Sequence, residues 1–514
     1  MTGDLLALAH RWLAADPDPD TRTELAAVIG AAERGDTSAR ADLADRFAGR
    51  LQFGTAGLRG ALGAGPNRMN RVVVSQAAAG LIAYLLAVDP RGAPAPRVIV
   101  GYDARHNSDV LARDTCEIVQ GSGGEALLLP EPLPTPVLAY AIRTLDCAAG
   151  VMVTASHNPG EYNGLKICRE EAKALSLDTG LDAIRDLVRS DDLPPVKTNG
   201  ARGSVQERNI LGAYADHVLS LVDTAAIKPL KIVVDAGNGM AGLTVPRVFA
   251  NLPCQIVPLY FELDGTFPNH PANPIEPENI EALQRTVLAE GCDLGVAFDG
   301  DADRMFLVDE KGTFVGGDMV TAMVAVKMLA RSPGAAVVYN LICSRSVPET
   351  IERLGGQPIR SRVGHSFIKA TMREEDAVFG GEHSGHFYFR DNWYADSGMV
   401  ALLTVLELVS EANHPLSAVL KPLDTRVRSG EINSEVSDPA AVVAAVEARY
   451  AAEGAEIDHL DGVTINFPRW WFNLRASNTQ PLLRLNVEAD DAATLQQKTD
   501  EVLALIRADP SVTE

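Results

Sequence analysis

The sequence predicts an α/β protein: three topologically related mixed-sheet α/β domains followed by a C-terminal α+β domain. Three observations carry this expectation. The segments "PRVIVGYDAR" (96–105), "LKIVVDAGNG" (230–239) and "AAVVYNLICSR" (335–345) each give a short β-branched run, a polar turn and then a helix-forming stretch, the texture of units with buried, partly parallel strands. Their starts lie more than a hundred residues apart, which suggests three related domains in series. Near the end, "GVTINFPRWWFNLRASNTQPLLRLNVEAD" alternates apolar and polar residues as a half-exposed antiparallel sheet does, and "DAATLQQKTDEVLALIRAD" follows as a helix that packs on it.

The elements follow in order. The opening "MTGDLLALAHRWLAAD" has apolar positions interrupted by His10 and Arg11, which fits a short amphipathic helix and not a signal peptide. "DTRTELAAVIGAAERGD" and "TSARADLADRFAGRL" read as two further helices, with Asp20 and Thr37 as their N-caps. Pro/Gly/Asp-rich joints fall at 190–203, 309–318 and 419–433. They divide the chain into a helical leader at 1–50 packed on the first domain, and domains at 51–205, 206–313, 314–425 and 426–514.

Composition narrows the class of function. A length of 514 residues suits several domains, and 46% hydrophobic residues let each bury a core. The formal net charge of −22 opposes binding to nucleic acid or to an anionic membrane surface. No run of eighteen apolar residues occurs, so a spanning helix is not expected. The six cysteines are scattered without a C-x-x-C pair; neither structural zinc nor a disulfide framework is expected, and reduced thiols in the cytoplasm are.

Chemistry concentrates in a few loops. "CDLGVAFDGDADRMFLVDEKG" (292–312) places Asp299, Asp301 and Asp303 at alternate positions after an apolar strand. Three carboxylates so close repel one another unless a cation joins them, and all-oxygen donors suit a hard ion such as Mg²⁺. An EF-hand is excluded. With Asp299 first, Glu310 would stand twelfth, but Arg304 occupies the sixth position, where the turn needs glycine, and the flanks are strands. Magnesium beside Arg304 is what phosphoryl transfer uses. "VTASHNPGEYNGLKI" (153–167) sets Ser156 beside His157, with Lys166 ten residues on, yet lacks the glycines of a hydrolase nucleophile elbow. "FGTAGLRG" (53–60) offers Thr55 and Arg59. "RVGHSFIKATM" (362–372) offers Gly364, with His365 and Lys369 on one helical face, and "FGGEHSGHFYF" (379–389) offers Glu382, Ser384 and His386 at two-residue steps. Arg475, Ser477, Asn478 and Thr479 fall in a turn between strands, where a guanidinium fork and neighbouring donors can hold phosphate.

Together these loops resemble the α-D-phosphohexomutase superfamily, most closely its bacterial phosphomannomutase/phosphoglucomutase branch. The resemblance rests on "TASHNP", "DGDADR", "GEHSGH" and "RASNTQP", with "FGTAGLRG", "YNGLKI" and "VGHSFIK" around them, in the family's order over roughly residues 50–510. It implies four domains around a central cleft: phosphoserine, metal, sugar and phosphate domains in turn. It implies an intramolecular phosphotransferase that interconverts hexose 6-phosphate and hexose 1-phosphate, of mannose or glucose. Ser156 would be the phosphoserine and, with Asp299, Asp301 and Asp303, would bind one Mg²⁺ per chain. A hexose 1,6-bisphosphate would be the intermediate or activator. His157 and Arg59 would hold the phosphoserine region. Lys166 would exchange a proton with the attacking hydroxyl, a role that needs a lowered pKa. Thr55, Arg304, Gly364, His365, Lys369, Glu382, Ser384 and His386 would border the sugar. Arg475, Ser477, Asn478 and Thr479 would hold the phosphate that is not being transferred, with Arg484 a further candidate.

Departures from the family's pattern bear on the substrate. Gln480 stands where many relatives carry glutamate, and His383 replaces the acidic residue of many glucose-only enzymes, which leans towards dual mannose and glucose use. The leader is longer than in the shorter bacterial enzymes. Phosphopentomutase or phosphoglucosamine mutase activity on the same machinery, and a non-catalytic sugar-phosphate sensor, are the alternatives. The expected partners are phosphosugars alone, with no nucleic acid and no membrane, for a monomer or small homo-oligomer in the cytoplasm.

Overall fold

The computed structural model describes residues 2–54, 57–88, 95–176, 179–190, 205–477, 482–509 and 511–513. The chain forms two compact units, Met1–Val308 with Ala395–Leu403, and Asp309–Tyr394 with Thr404–Glu514.

In the first unit, the leader folds as helices Thr2–Ala15, Pro19–Glu33 and Thr37–Arg46. Their N-caps differ from the expectation. Asp18 and Asp36, not Asp20 and Thr37, accept the first free backbone N–H groups. Pro19 then takes the first helical position, where its missing N–H costs nothing. Leu25, Ile29 and Leu43 close a small core between these helices, and Trp12 packs against both that core and the core of the adjoining sheet.

That sheet has seven strands, ordered Phe53–Gly54, Gly57–Ala61, Tyr162–Arg169, Ala149–Val153, Arg97–Tyr102, Glu125–Leu128 and Gln206–Glu207. Arg97–Tyr102 pairs parallel with Glu125–Leu128 and with Ala149–Val153, which then pairs antiparallel with Tyr162–Arg169. The sheet is mixed, as the sequence predicts. A second sheet orders Met305–Asp309, Leu294–Phe298, Lys231–Asp235 and Gln255–Leu259, the last three parallel. Helix Arg71–Val88 is long and apolar enough to cross a membrane, although Ser75 and Gln76 interrupt its apolar run. It buries Val73, Val74, Leu81 and Ile82 in the core of the first sheet. All six cysteines are free.

The second unit holds parallel strands Gln357–Ser361, Ala336–Asn340 and Phe379–Gly381, with Phe387–Phe389 antiparallel beside the last. It also holds an antiparallel sheet ordered Glu456–Asp458, Val463–Asn466, Trp470–Ala476, Leu482–Ala489, Val427–Val436 and Val512–Thr513. The predicted joint at 419–433 is therefore only in part a connection, because ten residues of strand begin at Val427. The strand Trp470–Ala476 is not half-exposed, since residues 470–475 are buried throughout, whereas Val427–Val436 at the other side of the sheet is partly exposed along most of its length. Trp470, Phe472 and Leu474 face the core beneath the helices. The other face is closed by polar pairing. Arg345 reaches Asn466 and the Phe467 carbonyl, while Glu488 accepts from the Arg345 N–H and from Trp471 Nε1.

Candidate active site

In the first unit, the buried strand Ala149–Val153 delivers the loop that carries Ser156. The serine is fully buried and holds φ at +54°, a left-handed conformation that costs a non-glycine residue of order 1 kcal/mol or more. Its surroundings hold it there. Thr154 Oγ1 accepts from Ser156 N at 2.9 Å. Arg105, in the polar turn after the strand Arg97–Tyr102, donates to four carbonyls of the same loop: Ser156 and Asn158 at 2.6 Å, Pro159 at 2.7 Å and Tyr162 at 3.0 Å. A lone arginine after "GYD" gives no sign that a loop some fifty residues away needs it.

The strand Leu294–Phe298 is buried along its length and ends at Asp299, with Ala302 at φ +56° turning the loop. Met305–Asp309 follows as a second strand, and Glu310 bonds to Ser417; both agree with rejecting an EF-hand. Oxygens of Asp299, Asp301 and Asp303 lie within 4.8 Å of one another, and all three residues are buried. Ser156 Oγ donates to Asp299 Oδ2 at 2.9 Å. Arg304 donates its N–H to Asp299 Oδ1 at 3.1 Å. Thr135 and Thr154 both donate to Asp301 Oδ2, and Thr135 is a second residue that no sequence signal marked. Asp301 Oδ1 is buried without a hydrogen-bond partner. A buried, unpaired carboxylate oxygen among three carboxylates is a donor set that fits a hard divalent cation.

The electrostatics follow from this crowding. Burial and the charges of Asp303 and Asp301 raise the Asp299 carboxyl well above the usual range. Arg304, burial and Arg59 together hold His157 neutral, well below the ordinary histidine value. Arg59 reaches Asn158 Oδ1 at 3.4 Å. Lys166 departs from the expectation of a lowered pKa. Burial opposes its charge, but Asp301 and Asp303, at 2.6 and 2.5 Å from Nζ, more than offset this and raise it.

The serine and aspartate loops meet at Gly300, where an added Cβ would lie 2.6 Å from the Ser156 carbonyl oxygen. Gly300→Ala is therefore expected to separate the two loops and to lower kcat by roughly 10²-fold, the cost of a misplacement of about 1 Å at reacting groups. Steady-state kinetics beside a thermal melt check this, and full activity in a folded variant would contradict it.

The second unit gathers the remaining residues in two places. Gly364, at φ +130°, precedes helix His365–Glu374, which carries His365 and the buried Lys369 one turn apart. Lys369 Nζ sits 5.4 Å from the centre of the Tyr388 ring. Glu382 is buried and accepts from Tyr388 Oη and from Asn340 Nδ2, while Ser384 Oγ and His386 Nδ1 lie 3.1 Å apart. Asn340 ends one strand and Tyr388 lies within another, so neither stands in a polar loop that would mark it in the sequence. Elsewhere, Arg475 and Arg484 are cross-strand partners, and Glu431 lies between them at 3.1 and 3.3 Å. The Nε atoms of both arginines are buried without a hydrogen-bond partner. Ser477 Oγ accepts from Arg484 at 3.5 Å. Thr55, Asn478, Thr479 and Gln480 lie outside the described residues.

Comparison with known proteins agrees with these loops. The phosphoglucomutase/phosphomannomutase α/β/α domains I, II and III match residues 50–194, 212–312 and 316–425, and the C-terminal domain of the same family matches 431–505. A protein of Xanthomonas campestris described as phosphohexose mutases is 43% identical over 412 residues, covering 80% of this chain and 91% of its own length. The phosphomannomutase/phosphoglucomutase of Pseudomonas aeruginosa is 36% identical over 407 residues, 78% of this chain and 85% of its own. A crystal structure of a phosphoglucomutase/phosphomannomutase family protein from Burkholderia thailandensis superposes with a TM-score of 0.78 at 28% identity, covering 90% of this chain and 98% of that one. With all four domains matched in order, the chain belongs to the phosphoglucomutase/phosphomannomutase family.

Proposed function

We propose that this phosphohexomutase moves a phosphoryl group between the C6 and C1 hydroxyls of mannose or glucose through a phosphoserine at Ser156. The observation that carries the reading is Ser156 Oγ held 2.9 Å from one of three clustered, buried aspartates. In the first half-reaction a sugar hydroxyl forms the new P–O bond as the Ser156 Oγ–P bond breaks, and its proton passes to Lys166. The Lys166 pKa falls once Asp301 and Asp303 turn from Nζ to the cation they would hold; the second half-reaction exchanges the same bonds and proton in reverse. The sugar bisphosphate then turns and returns its other phosphoryl group to Ser156. Asp299, Asp301, Asp303 and the phosphoserine would hold Mg²⁺, which when bound neutralises charge on the transferring group. Arg59 and His157 steady the serine loop. Arg304, Lys369, Glu382, Ser384 and His386 orient the sugar, and Arg475 with Arg484 and Ser477 receives the phosphate not being transferred. Phosphosugars are the partners in this reading, in a cytoplasmic setting that suits six free thiols.

A coupled assay over the 1-phosphates of mannose, glucose, glucosamine and ribose tests the proposal. Mannose and glucose 1-phosphates are expected to turn over best. Preference for glucosamine or ribose 1-phosphate would transfer the reading to those substrates, and binding without turnover of any would leave a sensor. In the same assay Arg475→Ala is expected to raise KM roughly tenfold or more, since a charge-assisted hydrogen bond contributes about 1.5–3 kcal/mol. It should also lower kcat, because a misoriented sugar slows both transfers. An unchanged KM would remove Arg475 from the phosphate grip.

A further inference from the structure

A stretch of the first unit that the mechanism does not use lies directly over the serine loop. Residues 262–273 leave the strand Gln255–Leu259 and cross to Arg105. Two anchors fix their base. Asn238 donates from Nδ2 to the Glu262 carbonyl at 3.0 Å, its own carbonyl accepts from Asp264 N at 3.0 Å, and its Oδ1 accepts from Asn269 Nδ2 at 2.8 Å. His270 lies with Nε2 3.1 Å from Asp235 Oδ2 and Nδ1 2.8 Å from the Pro271 carbonyl. Both partners accept, and although burial opposes the charge, the hydrogen bond and charge of buried Asp235 raise the His270 pKa, which favours the imidazolium in this latch.

The tip of this stretch is packed without slack. A Cβ on Gly265 would collide with the Arg105 backbone, and one on Gly160 would lie 2.9 Å from the Gly265 carbonyl. Phe267 takes φ +52°, a strained value for an aromatic residue, and is nearly fully buried. Its ring covers the Arg105 guanidinium at 4.8 Å, and its edge reaches Gly300. Arg105 is the side chain that holds four carbonyls of the serine loop, and only 1% of it is exposed. Asp103, buried beside it with Oδ2 3.3 Å from Nε, balances the guanidinium's charge, and the aromatic ring covers its remaining face with a favourable cation–π contact.

We propose that residues 262–273 form a strap that positions the phosphoryl-accepting loop, with Phe267 as the positioning residue that seats Arg105 against residues 156–162. The kinetic arm of this inference rests on the function proposed above; the physical arm does not. Phe267→Ala, Phe267→Leu and Gly265→Ala are compared with the wild type by hydrogen exchange of the amides of Ser156, Asn158 and Tyr162, and by kcat and KM. Phe267→Ala is expected to speed exchange at these amides by roughly tenfold or more, with exchange in Ala149–Val153 unchanged. It should lower kcat at least about tenfold with KM within about twofold, and Phe267→Leu, which keeps apolar cover over Arg105 without an atom beyond the ring's tip, should recover part of the lost protection and of the lost kcat. Gly265→Ala, which lifts the strap while keeping the ring, is expected to act like Phe267→Ala and serves if that variant does not fold. Unchanged exchange at 156–162, or an equal rise in Ala149–Val153, overturns the strap. If the wild type turns over no phosphosugar, the proposed function falls and the exchange result alone decides the strap.

Discussion

Ser156→Ala is expected to lower turnover of mannose 1-phosphate and glucose 1-phosphate by at least ~10³-fold, the scale of removing a covalent nucleophile. Stability should hardly move. The hydroxyl makes one bond, to Asp299, and alanine keeps the backbone and volume of the site. The loop is held from outside the side chain, by Arg105 on its carbonyls. A thermal melt beside the assay separates loss of chemistry from loss of fold. Near-normal turnover by the alanine variant would mean that another group carries the phosphoryl.

Asp299→Asn is expected to move activity and stability in opposite directions. Activity should fall by roughly 10³-fold, because the carboxylate that meets the serine and serves the cation is gone. The folded protein without divalent cation should become more stable at neutral pH. The sign follows from linkage. Burial and the charges of Asp303 and Asp301 raise the Asp299 pKa in the folded state. The folded state therefore binds the proton more tightly than the unfolded chain, and stability falls as pH rises through the interval between the two values. Asparagine removes that loss. In chelator the variant should melt roughly 2–4 °C higher at neutral pH, and the gain should vanish at low pH, where the carboxyl is protonated in both states. With excess Mg²⁺ the order should reverse, because the wild type gains binding energy that the variant lacks. Equal or lower melting in chelator would show that Asp299 is stabilised by its neighbours and not strained by them.

The residues that sequence reading located are those whose chemistry leaves little choice. Three alternating aspartates after a buried strand, or a serine and histidine in a polar turn, stand out from ordinary loops, and the strands around them carry a β-branched pattern. The residues it missed act at long range. Arg105 serves a loop 51 to 57 residues away, Thr135 donates across 166 residues to Asp301, and Glu431 reaches Arg475 across 44. None stands in a local pattern that betrays its partner. The Lys166 expectation failed for a similar reason: cations nearby and burial were legible, but the pairing with two carboxylates was not, and it reverses the sign. The N-caps slipped by one or two residues because aspartate clusters offer several capping oxygens. Strands Trp470–Ala476 and Leu482–Ala489 looked half-exposed because their polar residues were read as facing water, when Asn473, Arg475 and Glu488 are buried against partners.

The central claim is that Ser156 carries the phosphoryl group between hydroxyls. The most direct measurement is intact mass with peptide mapping after incubation with glucose 1,6-bisphosphate and Mg²⁺, followed by addition of glucose 6-phosphate. The account predicts a gain of one phosphoryl group on Ser156 that the second sugar discharges, and no gain in Ser156→Ala. Active turnover with no phosphoryl on the protein, or with the phosphoryl on another residue, would contradict it.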